Sequence, residues 1–194
     1  MMQLSPAIRL LLIVNVAAFG LQWWLPSLID QFALWPLAHH FQPWQLVTYA
    51  FLHGGFAHIA FNMIGLVTFG NELEQYWGTR RLLTFYFASV LAAGLTQLAV
   101  TSSIGEIAPT VGASGGIYGL LLGFAMMFPN RKIVPLIPPI PMPAWLFAVL
   151  FAGLELYLGV TGTTAGIAHF AHLGGMIGGW IMIQRWRRRE SPRY

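Results

Sequence analysis

Six stretches of this chain, at about 7–25, 55–76, 82–100, 114–128, 144–160 and 166–184, are mainly apolar. Their lengths approach the ~20 residues that a helix needs to cross a hydrocarbon core. Only 8% of the 194 residues are charged and 57% are hydrophobic, whereas a soluble domain carries ~25% charged residues. So few charges cannot solvate a globular surface, which excludes a disordered, collagen-like or nucleic-acid-binding chain. The apolar strings are also too long for outer-membrane strands, which alternate over ~10 residues. No cysteine is present, so disulfides, thiol catalysis and thiolate metal sites are excluded. The expected fold is all-α: a polytopic membrane protein with six transmembrane helices. It forms one domain over 1–194, with a helical core at about 7–185, a basic tail at 185–194 and no internal repeat. The first stretch follows a lone Arg9 and no small-x-small cleavage site, so it reads as retained.

The positive charges orient these helices. Arg9 precedes the first stretch, Arg80 and Arg81 separate the second and third, and Arg131 and Lys132 separate the fourth and fifth. Arg185, Arg187, Arg188, Arg189 and Arg193 follow the sixth. With six crossings all ten fall on one side, which the positive-inside rule makes cytoplasmic, with both termini. The outer side then holds loops at about 26–54, 101–113 and 161–165. Trp23, Trp24, Phe32, Trp35, Phe41, Trp44 and Phe51 read as an interfacial aromatic belt. The prolines between 129 and 143 read as a stiff, extended inner connector.

Polar groups inside such helices are expensive and are functional candidates by default. His58 and Asn62 share a helix face in the second stretch, with His53 further out. Gly112, Ala113, Ser114 and Gly115 open the fourth, with Tyr118 one turn on from the serine. His169 and His172 precede Gly175 and Gly179 in the sixth. Each cluster has a plain structural alternative: His58 with Asn62 as interhelical glue, Ser114 as a small packing residue, His169 or His172 as cavity lining. Depth argues otherwise. Counted back from the cytoplasmic charges at 1.5 Å per residue, Asn62 lies roughly 27 Å, Ser114 roughly 25 Å and His172 roughly 20–22 Å above the inner face. Three helices thus bring polar groups to one outer-leaflet level. The fourth stretch, from Ser114 to Phe128, spans only roughly 22 Å of a ~30 Å core. Its first free N–H groups therefore lie below the outer surface, where irregular backbone is tolerated only beside water or protein. Gly115, Gly119 and Gly123 form one small face, and Gly175 with Gly179 another. Faces of this kind let two helices approach closely.

At these residues the chain resembles the rhomboid family of intramembrane serine proteases. The H-x4-H-x3-N motif is His53, His58 and Asn62; the G-x-S-G is Gly112 to Gly115; the A-H-x2-G-x3-G is Ala171, His172, Gly175 and Gly179. Order, spacing and helix assignment agree over about residues 7–185. The resemblance implies a rhomboid-like fold with Ser114 as nucleophile and His172 as general base, a dyad without a carboxylate. It implies an oxyanion hole from His58, Asn62 and the Ser114 N–H, with Tyr118 stacked on His172. Glu74 and Gly78 resemble a further, structural family feature. Trp44-Gln45 departs from the family's Trp-Arg and puts its loop-bracing arginine in doubt. Only the six-helix core is expected, without the regulation that added domains bring.

The expected function is endopeptidase cleavage near the outer end of transmembrane-helix substrates, from a water-accessible cavity in the bilayer. The expected partners are transmembrane proteins and lipid, with no nucleic acid, no cofactor and no metal. The expected location is the cell (inner) membrane, with the site opening outward and substrate entering past the fifth stretch and a flexible cap at Gly159–Thr164. Glu155 is expected to make a structural hydrogen bond or to reach outward toward that cap; orienting His172 is the less favoured alternative. An inactive rhomboid-like scaffold would usually lack the serine or the histidine, and both are present. A small-solute transporter would need repeated halves with paired broken helices, and none is visible.

Overall fold

The computed structural model describes residues 3–136, 138–162 and 168–190. Six helices of fourteen residues or more fall on the six apolar stretches: α1 (Pro6–Trp24), α4 (Phe56–Trp77), α5 (Thr79–Ile104), α6 (Ser114–Met127), α7 (Ala144–Thr161) and α8 (His169–Glu190). Two short helices, α2 (Leu28–Phe32) and α3 (Gln45–Thr48), and a 3-10 turn at Tyr49–Phe51 structure the first long loop. By length and composition α1, α5 and α7 are each able to cross a bilayer alone. A fourth crossing results if α4 is taken together with Gln45–Phe51, from which it is bent by 99°. α6 is too short for that measure, as its position in the sequence anticipates.

The polarity of the molecule is inverted relative to a soluble protein. Ile13, Val16, Phe61, Leu95, Val149, Leu154, Ile177 and Trp180 face outward, whereas Asn15, Asn62, Asn71, Glu74, Gln97, Glu155, His169 and His172 are buried. Apolar side chains outside and polar groups gathered inside are what a hydrocarbon solvent selects. The chain is therefore an all-α polytopic membrane protein.

α6 occupies the centre, packed against α4, α5, α7 and α8. Its small face is what allows this. A Cβ added to Gly175 of α8 would lie 1.9 Å from the Gly115 carbonyl oxygen, and one added to Gly119 would lie 3.1 Å from that of Gly175. α1 and α7 are the least buried of the long helices. Only Ala144, Phe147, Ala148 and Glu155 are buried along the eighteen residues of α7.

The α4–α5 connection is a single residue, Gly78, at φ +81°, with its N–H on the Glu74 carbonyl at 2.7 Å. Arg80 and Arg81 therefore sit in the first turn of α5 rather than in a loop. The Glu74 carboxylate, 3% exposed, turns back to α1 and accepts from the backbone N–H groups of Ala7 (2.9 Å) and Ile8 (3.1 Å). It thereby satisfies donors that a helix start leaves open, with the charge at the favourable end of the dipole.

The proline-rich connector differs from its expected extended form. It doubles back as a two-residue hairpin, with β1 (Lys132–Ile133) antiparallel to β2 (Met142–Pro143). Its ends are close because Ala144 N–H reaches the Arg131 carbonyl at 2.9 Å and Trp145 N–H reaches that of Pro129 at 3.2 Å. Proline sets the turns, while the backbone groups it leaves free must still pair near an apolar phase. Of the expected cap, Gly159–Thr161 is the last turn of α7; Thr163 and Thr164 lie outside the described residues.

Because the α6–α8 contact is backbone against backbone, one methyl group should separate the helices. Gly175→Ala is expected to unfold readily in mild detergent and to lower the thermal midpoint by ten degrees or more. Gly153→Ala, where nothing lies within 4 Å of the added carbon, should unfold like the parent. A fluorescence-detected thermal melt of both variants checks this.

Candidate active site

The start of α6 is built by its approach. Gly112 has φ +129°, in the region that disfavours side chains, and a Cβ there would lie 2.7 Å from His58 Nε2. Its N–H donates to the Tyr49 carbonyl at 2.9 Å. The Tyr49 hydroxyl, fully buried, donates in turn to the Val90 carbonyl of α5 at 2.8 Å. This fixed turn delivers Ser114 as the first residue of α6, where backbone N–H groups have no intrahelical acceptor. Tyr49 thus ties the approach to α6 onto α5, a link for which no sequence motif stands.

Ser114 Oγ lies 2.7 Å from His172 Nε2. Tyr118, one turn below the serine, stacks on the imidazole with centroids 4.3 Å apart and planes at 5°. Ser114, Tyr118, His172, His58, Asn62 and Gly112 all line one cavity of about 1120 Å³. The three sequence clusters are thus brought together. Asn62 Nδ2 donates to the His58 carbonyl of its own helix at 3.0 Å, and a side-chain amide has a second N–H to offer. His58 Nδ1 accepts from the Gly54 N–H at 3.3 Å. His53 does not join the cavity lining. It is buried behind His58, edge-on at 5.2 Å between centroids, and its backbone is held by Gln22 through bonds of 3.0 and 3.1 Å.

Glu155 makes the buried hydrogen bond that was one expectation for it and does not reach outward toward the cap: Oε2 lies 2.6 Å from His169 Nδ1 and 3.0 Å from His172 Nδ1. Its Oε1 accepts the Tyr118 hydroxyl. The contact to His172 is close in distance but not aligned as a hydrogen bond. These groups also offer a glutamate and two histidines within 4.8 Å. Two ligands at ~2.0 Å from a tetrahedral zinc ion lie roughly 3.3 Å apart, whereas the Glu155–His169 contact has the length of a hydrogen bond.

Gln45 resolves the departure in the first loop. It is 1% exposed, its Oε1 accepts from the N–H groups of Trp35 (3.3 Å) and Gln42 (3.1 Å), and its Nε2 donates to the carbonyls of Gln31 (3.2 Å) and His40 (3.4 Å). A neutral amide, with two donors and an acceptor, braces this loop where an arginine has donors only.

The fold and the serine–histidine contact define a polytopic membrane protein with a hydrogen-bonded serine–histidine pair lining a cavity. Sequence comparison gives the family: residues 40–189 match the Rhomboid domain, and the chain belongs to the rhomboid family. It is 31% identical over 192 residues to Rhomboid protein 1, mitochondrial, of Saccharomyces cerevisiae, covering 94% of this chain and 55% of that protein. RHOMBOID-like protein 12, mitochondrial, of Arabidopsis thaliana is 33% identical over 163 residues, covering 77% and 47%. Rhomboid protease GluP of Bacillus subtilis is 32% identical over 139 residues, covering 71% and 25%. The chain thus spans about half or less of the length of these curated relatives.

Gln45→Ala would leave four backbone groups of the loop without their buried partner. The expected cost is about 1–3 kcal/mol, read as a lower thermal midpoint. Hydrogen exchange at Trp35 and Gln42 should accelerate while α5 and α6 stay protected.

Proposed function

We propose that this protein is an intramembrane serine endopeptidase that cuts transmembrane-helix substrates near their outer ends. The observation that carries the reading is the 2.7 Å contact of Ser114 Oγ with His172 Nε2, opening on a cavity in a membrane-embedded fold. A serine hydroxyl is a weak nucleophile until a base in hydrogen-bond reach takes its proton. His172 serves as that base. As Oγ attacks the scissile carbonyl, the proton passes to Nε2 and then to the leaving amine. Water next attacks the acyl-serine by the same route. The oxyanion is met by the Ser114 N–H, the free N–H of Asn62 and the His58 ring. Such donors act on charge that develops only in the transition state.

The substrate must expose a carbonyl within a helix, so residues that weaken helices are expected near the cut. Six crossings are proposed, with the arginine-bearing ends of the helices in the cytoplasm and the cavity opening to the other side. A cell (inner) membrane location is part of the same proposal, as is a single protease domain over the chain. The protease named among the relatives supports the activity, and the intact serine–histidine pair weighs against an inactive scaffold.

In liposomes the protein should cleave a single-span reporter without ATP or added metal. Ser114→Ala and His172→Ala should abolish cleavage, and EDTA should leave the parent unaffected. Full cleavage by Ser114→Ala would remove the nucleophile, and loss of activity in EDTA alone would make the histidines metal ligands.

The oxyanion donors make a separate test. Asn62→Ala and His58→Ala are expected to lower single-turnover cleavage roughly ten- to a thousandfold, with substrate affinity nearly unchanged. The double variant should fall short of the product of the two effects, because donors to one oxygen act as a unit. Lost stability and affinity at an unchanged chemical rate would make the pair interhelical glue.

A further inference from the structure

We infer that Glu155 is a positioning residue for His172, holding the imidazole in the tautomer and orientation that present Nε2 to Ser114. This rests on the assignment of Ser114 and His172 proposed above. For Nε2 to accept the serine proton, neutral His172 must carry its hydrogen on Nδ1. That hydrogen needs an acceptor, and Glu155 Oε2 stands 3.0 Å from Nδ1. The carboxylate comes from α7, where it is the only polar residue among the four that are buried. Burying it beside lipid is costly, and one partner on a neighbouring helix would be enough to tie α7 down. His169, at 2.6 Å, already provides that tie. A tie alone does not explain why the same carboxylate also takes the hydroxyl of Tyr118, the ring stacked on His172, and approaches the far nitrogen of His172 itself. The arrangement fixes the imidazole on one face and one edge while Nε2 faces the serine.

The proton balance is that of a base with a bystander carboxylate. The Ser114 proton moves to Nε2, the Nδ1 hydrogen stays where it is, and Glu155 remains ionised throughout. As the ring becomes an imidazolium, its attraction to the carboxylate grows. Contacts of this kind are often long or poorly aligned without substrate and tighten during the reaction, which fits a close approach that is not yet a hydrogen bond.

The test uses the full chain in liposomes: the parent, Glu155→Gln, Glu155→Met, Glu155→Asp, His169→Gln and Ser114→Ala. Turnover and KM are measured on a single-span reporter, with the labelling rate of Ser114 by a fluorophosphonate and the thermal midpoint. Glu155→Gln and Glu155→Met should lower turnover and labelling roughly ten- to a thousandfold, with KM within about twofold. Glu155→Asp, which keeps the charge, should recover part of the loss. His169→Gln should lose stability comparably yet hold turnover within about threefold. The inference is overturned if a folded Glu155→Gln or Glu155→Met turns over like the parent, or if His169→Gln loses as much turnover. It also falls if neither Glu155→Gln nor Glu155→Met folds, since the carboxylate is then a folding element. Cleavage by Ser114→Ala at the parent's rate is a different failure: it removes the serine–histidine assignment itself, whatever the Glu155 variants do.

Discussion

The backbone contact between α6 and α8 decides where everything else in the site lies. Helices separated by ordinary side chains sit 8–10 Å apart, with a layer of flexible atoms between them. Here Gly115 and Gly119 face Gly175 and Gly179, and the carbonyl of one helix fills the space where the other would carry a methyl group. At Gly175 no rotamer intervenes, so main-chain atoms set how closely the two helices approach, while Gly115 and Gly119 also make room for Ala93 and Ser89 of α5. Ser114 heads one helix and His172 lies one turn from Gly175 on the other. Their 2.7 Å contact is a direct consequence of glycines that take no part in chemistry.

Two buried polar side chains elsewhere in the molecule show what full partnering looks like. Glu74 is buried, but its carboxylate completes the first turn of α1; Gln45 is buried, but all its hydrogen-bonding atoms close a loop. An unpaired polar group in such surroundings costs several kcal/mol. A well-partnered side chain is therefore to be read first as architecture, as these two are. Glu155 differs because its partners include a ring that also faces Ser114. Partnering alone does not separate a structural carboxylate from one that serves the site; what the partners themselves touch does.

Much of this was legible in the sequence. The six helices, their small faces and the shared depth of His58, Asn62, Ser114 and His172 follow from spacing, because helix rise and periodicity are fixed by the backbone. Of the two histidines, His172 is the one in the A-H-x2-G-x3-G pattern, with glycines three and seven residues on, and the structure sets it against Ser114. What spacing could not supply was contact between helices at unknown rotation. Glu155 stood out as an isolated charge, but nothing in the chain said which face of α7 it occupied. Tyr49 was hidden for another reason: it lies in a loop without periodicity, among aromatics that suit a membrane interface equally well, and Gln45 stood out there as a departure without showing that an amide could brace the loop. The proline-rich segment misled in the ordinary way, since composition reports stiffness and not whether a stiff segment turns.

These contacts expose two different ways of joining helices in one small protein. In lipid no hydrophobic force favours helix against helix over helix against acyl chain, so association comes from close packing or from polar bonds. α8 uses the first against α6, through glycines, and the result is a rigid pair. α7 buries only three apolar side chains and relies on the second, through Glu155 to Tyr118 and His169. Its attachment near the site is therefore made of the same atoms that surround the imidazole. Glycine packing would have fixed α7 firmly but could not have placed a charge beside His172. The buried carboxylate joins α7 to α6 and α8 beside His172, alongside the packing of Phe147 and Phe151 against the core.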